Sequence, residues 1–482
     1  MLEDIIKERR KKLDLLKVSG VEAYPARVKR SFAISEALKQ FSLLAKSKKK
    51  ISVTGRVMSI RDQGNLLFID CADESGGIQC VLRKNNIPNF KLLKSVLDRG
   101  DFISVTGCLF KTKKGERSIE ARSAAIIGKS LRPLPTEWYG LNDVESRLRE
   151  RYVDMILHPE VREMFRKKSL FWGSVREFLT AEGFTEVETG ILEVMAGGAE
   201  AEPFITHHNV LDIDFYLRIS PELQLKKLIT GGFEKIFEIG RVFRNEGIDR
   251  EHLQDYTALE FYWAWHDYND LMVMTEKMFK KIIKKTQGTL ITTNQGRKIY
   301  WGKKWPKIDY VKAFIKANHI DPLTATVDDL YAKTHELGIK TEKNLGIGRL
   351  VDLIYKKTVR PYLIQPCFLI DPPVFIEPLA KRSSRDPRVV ERMQPVAAGT
   401  ELGKGFSELN DPLDQRSRFE EQMKLREAGD MEAQRLDEDF LAALEFGMPP
   451  TTGFGMSERF FAVLMDKPIR ETVFFPLMKP KE

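Results

Sequence analysis

Residues 237–265, FEIGRVFRNEGIDREHLQDYTALEFYWAW, read as two strands joined by a polar loop. The first strand delivers Arg244 and Glu246 on one face, the loop carries His252, and the second strand returns with Tyr256, Glu260 and Tyr262. Side chains at even spacing share a strand face, so one hairpin offers an arginine, two carboxylates and aromatic rings to one pocket. Arginine suits forked recognition of a phosphate or carboxylate. A solvated ladder of ion pairs is the plainer reading of the same spacing.

Two later stretches sharpen the choice. In ELGKGFSELND (401–411), Glu401 and Glu408 lie on a glycine-punctuated strand pattern. Carboxylates so dense on an apolar strand are costly to bury unless they meet a cation. In PPTTGFGMSERFFAVL (449–464), Gly453 and Gly455 let a strand approach a ligand closely. A helix starting near Ser457 carries Arg459 in its first turn, where the helix dipole already favours an anion.

Outward from these motifs, 161–181 shows helical periodicity through Leu170, Val175, Phe178 and Leu179, stopping at Gly183 before a strand-like FTEVET. Strands and helices then alternate irregularly, as in an α+β domain on a mainly antiparallel sheet flanked by helices. Residues 271–350 read as helical and lysine-rich, and His207–His208 as structural residues of a loop. Upstream, ISVTGRVMSI, LLFIDCAD, GGIQCVLRK, DFISVTGCLF and SIEARSAAII are five short β-branched runs separated by turn residues, which fit a small closed barrel of the OB type. Phe68 and Gln79 stand out there, because such barrels bind single-stranded nucleic acid by stacking and base-edge hydrogen bonds. LRPLPTEWYG (131–140) reads as a boundary. The expected organisation is an N-terminal helical extension (1–48), an OB domain (49–130), a linker (131–150) and a larger domain (151–482).

The chain has 482 residues, 42% hydrophobic and 30% charged, an ordinary globular composition rather than a disordered one. No apolar run approaches the ~20 residues that span a bilayer, so no membrane role is expected. The N-terminus suits a basic helix with Leu2, Ile5, Ile6, Leu13 and Leu16 on one face, ending near Gly20. Four cysteines without paired spacing favour a reducing cytoplasm. GxxxxGK[ST], GxGxxG after a strand, and HExxH are all missing, so any nucleotide is held by another architecture. The net charge of +9 is uneven: residues 1–140 carry 28 Lys+Arg against 15 Asp+Glu (+13), the rest 50 against 54 (−4). Such a split fits either a solvated surface or a polyanion-binding module joined to a neutral body.

The order of these motifs resembles the class II aminoacyl-tRNA synthetases, and within them the bacterial-type lysyl-tRNA synthetases. The resemblance runs from YPAR (24–27) to FPLMKP (475–480), through GGAEAEPFITHHN (197–209), LRISPELQLKKLITGGFEKIFEIGRVFRNEG (217–247) and GFSELNDPLDQ (405–415). It implies an anticodon-binding OB domain and a catalytic domain on an antiparallel sheet, working as a homodimer. It also implies the reaction: lysine and ATP, with magnesium, give lysyl-adenylate and pyrophosphate, and lysine then passes to the 3′ end of tRNA(Lys). Matching positions imply that Arg244 and Arg459 are catalytic, and that Arg244, Glu246, His252, Tyr256, Glu401 and Arg459 bind ATP. Gly198, Glu222, Arg244, Glu260, Tyr262, Phe406 and Glu408 match the lysine pocket, with Glu408 facing the ε-ammonium. Glu401 matches a magnesium ligand, and Phe68 and Gln79 match anticodon contacts.

Five features depart from the family pattern. Gly190 replaces a proline near the dimer contact, Gln394 a second magnesium-binding glutamate, and Lys404 an asparagine. Glu251 replaces an arginine, with Arg250 adjacent as a substitute, and GFGMSER (453–459) is one residue short. The alternatives are the same fold serving aspartate or asparagine, which Glu408 disfavours by repulsion, and a nucleic-acid-binding OB protein with an impaired catalytic domain.

Overall fold

Along Leu66–Ala72 every second side chain is buried and the others half-exposed, the period of a strand with one face on a core. This strand (β2) joins Ile51–Asp62 (β1), Gly77–Arg83 (β3), Phe102–Lys111 (β4) and Arg117–Gly128 (β5) in a closed barrel ordered β1-β2-β3-β5-β4. Pairings are antiparallel except β3 with β5. All five expected strands are present, and a short helix Phe90–Val96 that the sequence reading missed fills the β3–β4 connection. The computed structural model describes residues 2–135, 143–247, 249, 251–341, 345–429 and 433–480. Residues 136–142 of the expected linker and Arg250 therefore lie outside the described residues.

The chain divides into two compact units, Met1–Asp143 and Val144–Glu482. In the first, the N-terminal helix Leu2–Val18 buries Leu16 against the barrel core, which Ile34, Ala37, Phe41 and Leu44 of the next two helices extend. Leu13 packs at its edge, while Leu2 and Ile5 are exposed, so the expected apolar face works only in its second half. Arg9 is held instead by the carbonyls of Arg99, Ser130 and Arg132, each at 3.0 Å. Lys129 is buried between Asp98 Oδ2 at 2.5 Å and Asp101 Oδ2 at 2.8 Å.

The second unit is built on a nine-stranded sheet. Its order is Lys307–Asp309, Cys367–Ile370, Arg392–Ala397, Lys404–Ser407, Thr451–Ser457, Asp255–Ala264, Lys235–Phe243 and Thr185–Glu186, with Thr400–Glu401 on the third of these. The pairings are antiparallel in the centre and parallel at both edges. Helix Pro159–Ala181 buries Phe171, Val175, Phe178 and Leu179 with helix Tyr268–Gln287 in the main core. Leu170, expected on that face, is exposed. The segment read as helical at 271–350 also holds a hairpin, Ile291–Asn294 with Arg297–Tyr300. His207 and His208 lie on a strand, not a loop, and His207 pairs with Asp214 at 2.9 Å. Among the described residues, no helix is long and apolar enough to cross a membrane.

Candidate functional site

Strands Asp255–Ala264 and Thr451–Ser457 run antiparallel with Tyr262 opposite Gly453 and Glu260 opposite Gly455. The missing side chains at Gly453 and Gly455 leave the hollow into which the neighbouring strand's polar residues project. At Gly453 a Cβ would overlap Glu408 Oε1 and the Tyr262 ring, so glycine is required by close approach. The result is a cavity of about 180 Å³. It is lined by Gly198, Glu222, Arg244, Tyr256, Glu260, Tyr262, Glu401, Phe406, Glu408 and Arg459, which joins ten of the expected catalytic-domain residues.

Two expected residues, Glu246 and His252, stand apart from the cavity. Arg244 and Glu246 lie in the segment beyond the strand, which ends at Phe243, so the expected shared strand face is replaced by a loop. Glu246 does not line the cavity, though its charge reaches Arg244. His252 also lies off the cavity, half-exposed, with Nδ1 2.7 Å from Asp249 Oδ2. Likewise Glu401 and Glu408 sit on separate segments, Thr400–Glu401 and the residue after Lys404–Ser407, rather than on one strand.

One end of the cavity is acidic. Glu260 accepts from Ser220 Oγ at 2.7 Å and from Tyr262 Oη at 3.2 Å. Burial first, then the charge of Glu222, pushes its carboxyl up to about 7. Burial likewise raises Glu222 and Glu408, with Lys226 opposing the rise in each. Glu408 is 1% exposed, and among the described residues neither of its carboxyl oxygens has a hydrogen-bond partner, although the Lys226 ammonium stands 2.5 Å from Oε2. Gly198 adopts φ +81°, bringing the backbone against Glu222 and Ser220.

The other end is basic. Arg244 donates from Nε to the Ile219 carbonyl at 3.3 Å, and its guanidinium lies 5.7 Å from the Tyr256 ring centroid. Desolvation acts against its charge, but Tyr256, Glu246, Glu260 and Glu401 outweigh it. Arg459 opens helix Arg459–Met465 and donates from Nε to the Glu251 carbonyl at 3.3 Å. The Glu401 carboxyl is half-buried, and desolvation would raise it, but the charges of Arg459, Arg392, Lys404 and Lys356 hold it below its ordinary value.

The departures are accommodated locally. Lys404 points to Glu377, 2.8 Å away, which Arg392 also faces at 3.4 Å. Gln394 donates its amide to Glu401 and accepts from Arg392 at 3.1 Å. Both ends of that amide are therefore occupied by protein, and among the described residues no group of three or more His, Cys, Asp or Glu could hold a metal. Glu401 alone fits a cation whose remaining ligands come from a bound phosphate. Gly190 is exposed in the coil before Leu192–Glu193. The sequence reading missed Ser220, Lys226, Glu377 and Arg392; the one available signal was Glu222 and Lys226 at (i, i+4) on a helix.

On the barrel, Phe68 and Gln79 lie half-buried on the outward face of β2 and β3, in a groove with Arg61, Arg83, Lys111, Lys113 and Lys114. Arg61 stands 5.9 Å from the Phe68 ring, and Gln79 Oε1 accepts from Ser118 at 3.1 Å.

Comparison with known proteins agrees with both units. Residues 143–479 match the family described as tRNA synthetases class II (D, K and N), and residues 51–127 match the OB-fold nucleic acid binding domain. The lysine–tRNA ligase of Carboxydothermus hydrogenoformans is 44% identical over 100% of this chain and 99% of its own length. Those of Moorella thermoacetica (99% and 98% covered) and Thermotoga maritima (100% and 97%) are each 42% identical.

Proposed function

The chain belongs to the class II tRNA synthetases of the D, K and N group, and from that membership we propose that it ligates lysine to tRNA(Lys). Lysine and ATP would form lysyl-adenylate with release of pyrophosphate, and the terminal adenosine of the tRNA would then take the lysyl group and release AMP. The observation that carries the choice of lysine is Glu408, a buried carboxylate lining the cavity whose Oε1 lies beside Gly453 and Tyr262 without a hydrogen-bond partner among the described residues. An ε-ammonium supplies that partner; an uncharged side chain leaves it unpaired, at about 1–3 kcal/mol or more. An aspartate side chain would be repelled.

The remaining groups take roles that their surroundings support. Glu222, Glu260 and the Gly198 backbone hold the α-ammonium. Arg244 binds the amino-acid carboxylate and the α-phosphate, whose negative charge grows during in-line attack. As the carboxylate oxygen bonds to the α-phosphorus, the bond to the pyrophosphate oxygen breaks. Tyr256 offers an aromatic face to adenine, and Arg459 anchors the departing end of the triphosphate. Glu246 and His252 do not line the cavity, and their contact with ATP rests on the resemblance to the family alone. Glu401 would hold magnesium together with the phosphates; when bound, magnesium offsets phosphate charge. In the first unit, Phe68 and Gln79 read anticodon bases by stacking and hydrogen bonding.

A cytoplasmic homodimer completes the proposal. Past Gly190, exposed Ile191, Leu192, Val194, Ile205, Val210 and Leu211 leave an apolar surface of the kind a second copy covers.

The test is exchange of pyrophosphate into ATP without tRNA, run with each of the twenty amino acids. Lysine alone should support rapid exchange, and Glu408→Gln should raise the lysine KM at least about tenfold while changing the ATP KM little. No exchange with any amino acid at high magnesium would sink the enzyme reading. Equal loss for lysine and ATP in Glu408→Gln would remove Glu408 from the side-chain pocket.

A further inference from the structure

The acidic end of the cavity contains a cation of the protein's own. Lys226 is fully buried one turn into helix Glu222–Thr230, with Nζ 2.5 Å from Glu222 Oε1 and 2.5 Å from Glu408 Oε2. The rings of Phe406 and Phe440 flank it, with centroids 5.3 and 5.9 Å away. Desolvation acts against its charge, but Glu222 and Glu408 outweigh this and hold it above its ordinary value. Lys226 stands against Glu408 Oε2, and Oε1, which has no hydrogen-bond partner among the described residues, is turned toward Gly453 and Tyr262. Glu260, the third carboxylate of this end, takes its hydrogen bonds from neutral donors, Ser220 and Tyr262. The next charged groups, Lys404 and Glu377, pair with each other at 2.8 Å.

We propose that Lys226 is a positioning residue that sets the charge count of the amino-acid pocket. With all three carboxylates ionised, one ammonium against Glu222, Glu260 and Glu408 leaves the pocket two positive charges short, a shortfall that protons relieve in the empty site and the ligand relieves when bound. The ligand that fills the shortfall is an amino acid with two ammonium groups, its carboxylate balanced by Arg244. This rests on the lysine reading and adds the residue that enforces it. Without the Lys226 charge, Glu222 and Glu408 face each other in a dry site and share a proton, as close buried carboxylates do. Glu408 then keeps a proton whether or not an ammonium enters, and a neutral side chain becomes tolerable beside it.

The experiment compares the unaltered enzyme with Lys226→Met and Lys226→Arg in pyrophosphate exchange, using lysine and norleucine, which lacks the ε-amine. Lys226→Met should lower the lysine-over-norleucine ratio of kcat/KM at least about tenfold, chiefly through the lysine KM, with the ATP KM within about threefold. Lys226→Arg, which keeps the charge, should hold that ratio within about threefold. A Lys226→Met enzyme with the preference intact, or equal loss in both variants, overturns the proposal in favour of simple packing. Should Lys226→Met fail to fold, Lys226→Gln is judged by the same criteria. Failure of the unaltered enzyme to use lysine overturns the lysine reading and this inference together, whereas the variant outcomes overturn this inference alone.

Discussion

Glu260 sits in a cavity already crowded with negative charge, and burial with the charge of Glu222 pushes its carboxyl up to about 7. The empty site therefore holds a proton near neutrality that an exposed glutamate would lose near its ordinary 4.5. A raised carboxylate favours the folded, protonated form below that range and loses the advantage as pH climbs through about 7. Lysine reverses the preference, because its α-ammonium favours the ionised carboxylate, so ligand and proton compete. The lysine KM should rise about tenfold from pH 8 to pH 6, with the ATP KM nearly flat and the slope lost in Glu260→Gln. A lysine KM that ignores pH in this range would mean Glu260 does not face the α-ammonium. Glu260 and Tyr262 were legible in the sequence because alternate strand positions share a face. Lys226 was not: its second partner, Glu408, comes from a distant strand end, and no local pattern announces that meeting.

The same limit shows in whole elements. Strand Thr451–Ser457 was readable from its glycines, and the five barrel strands from their β-branched runs and turn residues. The hairpin was readable in outline, yet Arg244 falls just past its strand: its N–H still donates to the Gln254 carbonyl at 2.7 Å, and the chain turns away at Asn245, which bonds to Glu202 instead. Helix Phe90–Val96 escaped notice because seven residues hold too few turns to show a period. Gly453 carries the sharpest consequence for its strand. Gly453→Ala forces its methyl onto Glu408 and Tyr262, from the strand that forms the cavity floor. It should cost about 1–3 kcal/mol of stability and raise the lysine KM severalfold or more. At Gly455 a Cβ would stand 3.5 Å from Glu260 Cγ, an ordinary contact, so Gly455→Ala should be clearly milder. Denaturant titration and lysine-dependent exchange on the two variants measure the contrast; equal effects would mean the floor yields and close approach is not what demands glycine.

For the molecule as a whole, the charge split of +13 over residues 1–140 against −4 over the rest now has a physical location. Some of the cations are spent inside the first unit: Arg9 on three carbonyls, and Lys129 on Asp98 and Asp101. Arg61, Arg83, Lys111, Lys113 and Lys114 instead line the outward groove that holds Phe68 and Gln79. A basic groove with an aromatic platform suits a single-stranded polyanion, whose binding releases counterions and so weakens with salt. Taken end to end, the second unit's cavity sets Lys226, Arg244, Lys404 and Arg459 against Glu222, Glu260, Glu401 and Glu408, so the shortage of positive charge at its acidic end is local and it needs no such long-range attraction. The tRNA KM in lysine charging should therefore climb steeply from 50 to 200 mM salt, by about tenfold or more, while the lysine KM in tRNA-independent exchange moves less than about twofold. Phe68→Ala should raise the tRNA KM again at every salt concentration and leave exchange unchanged, since stacking adds to the electrostatic term without replacing it. Parallel salt dependence of charging and exchange would refute this division between a basic nucleic-acid-binding unit and a charge-balanced catalytic one, and loss of exchange in Phe68→Ala would make Phe68 a core residue.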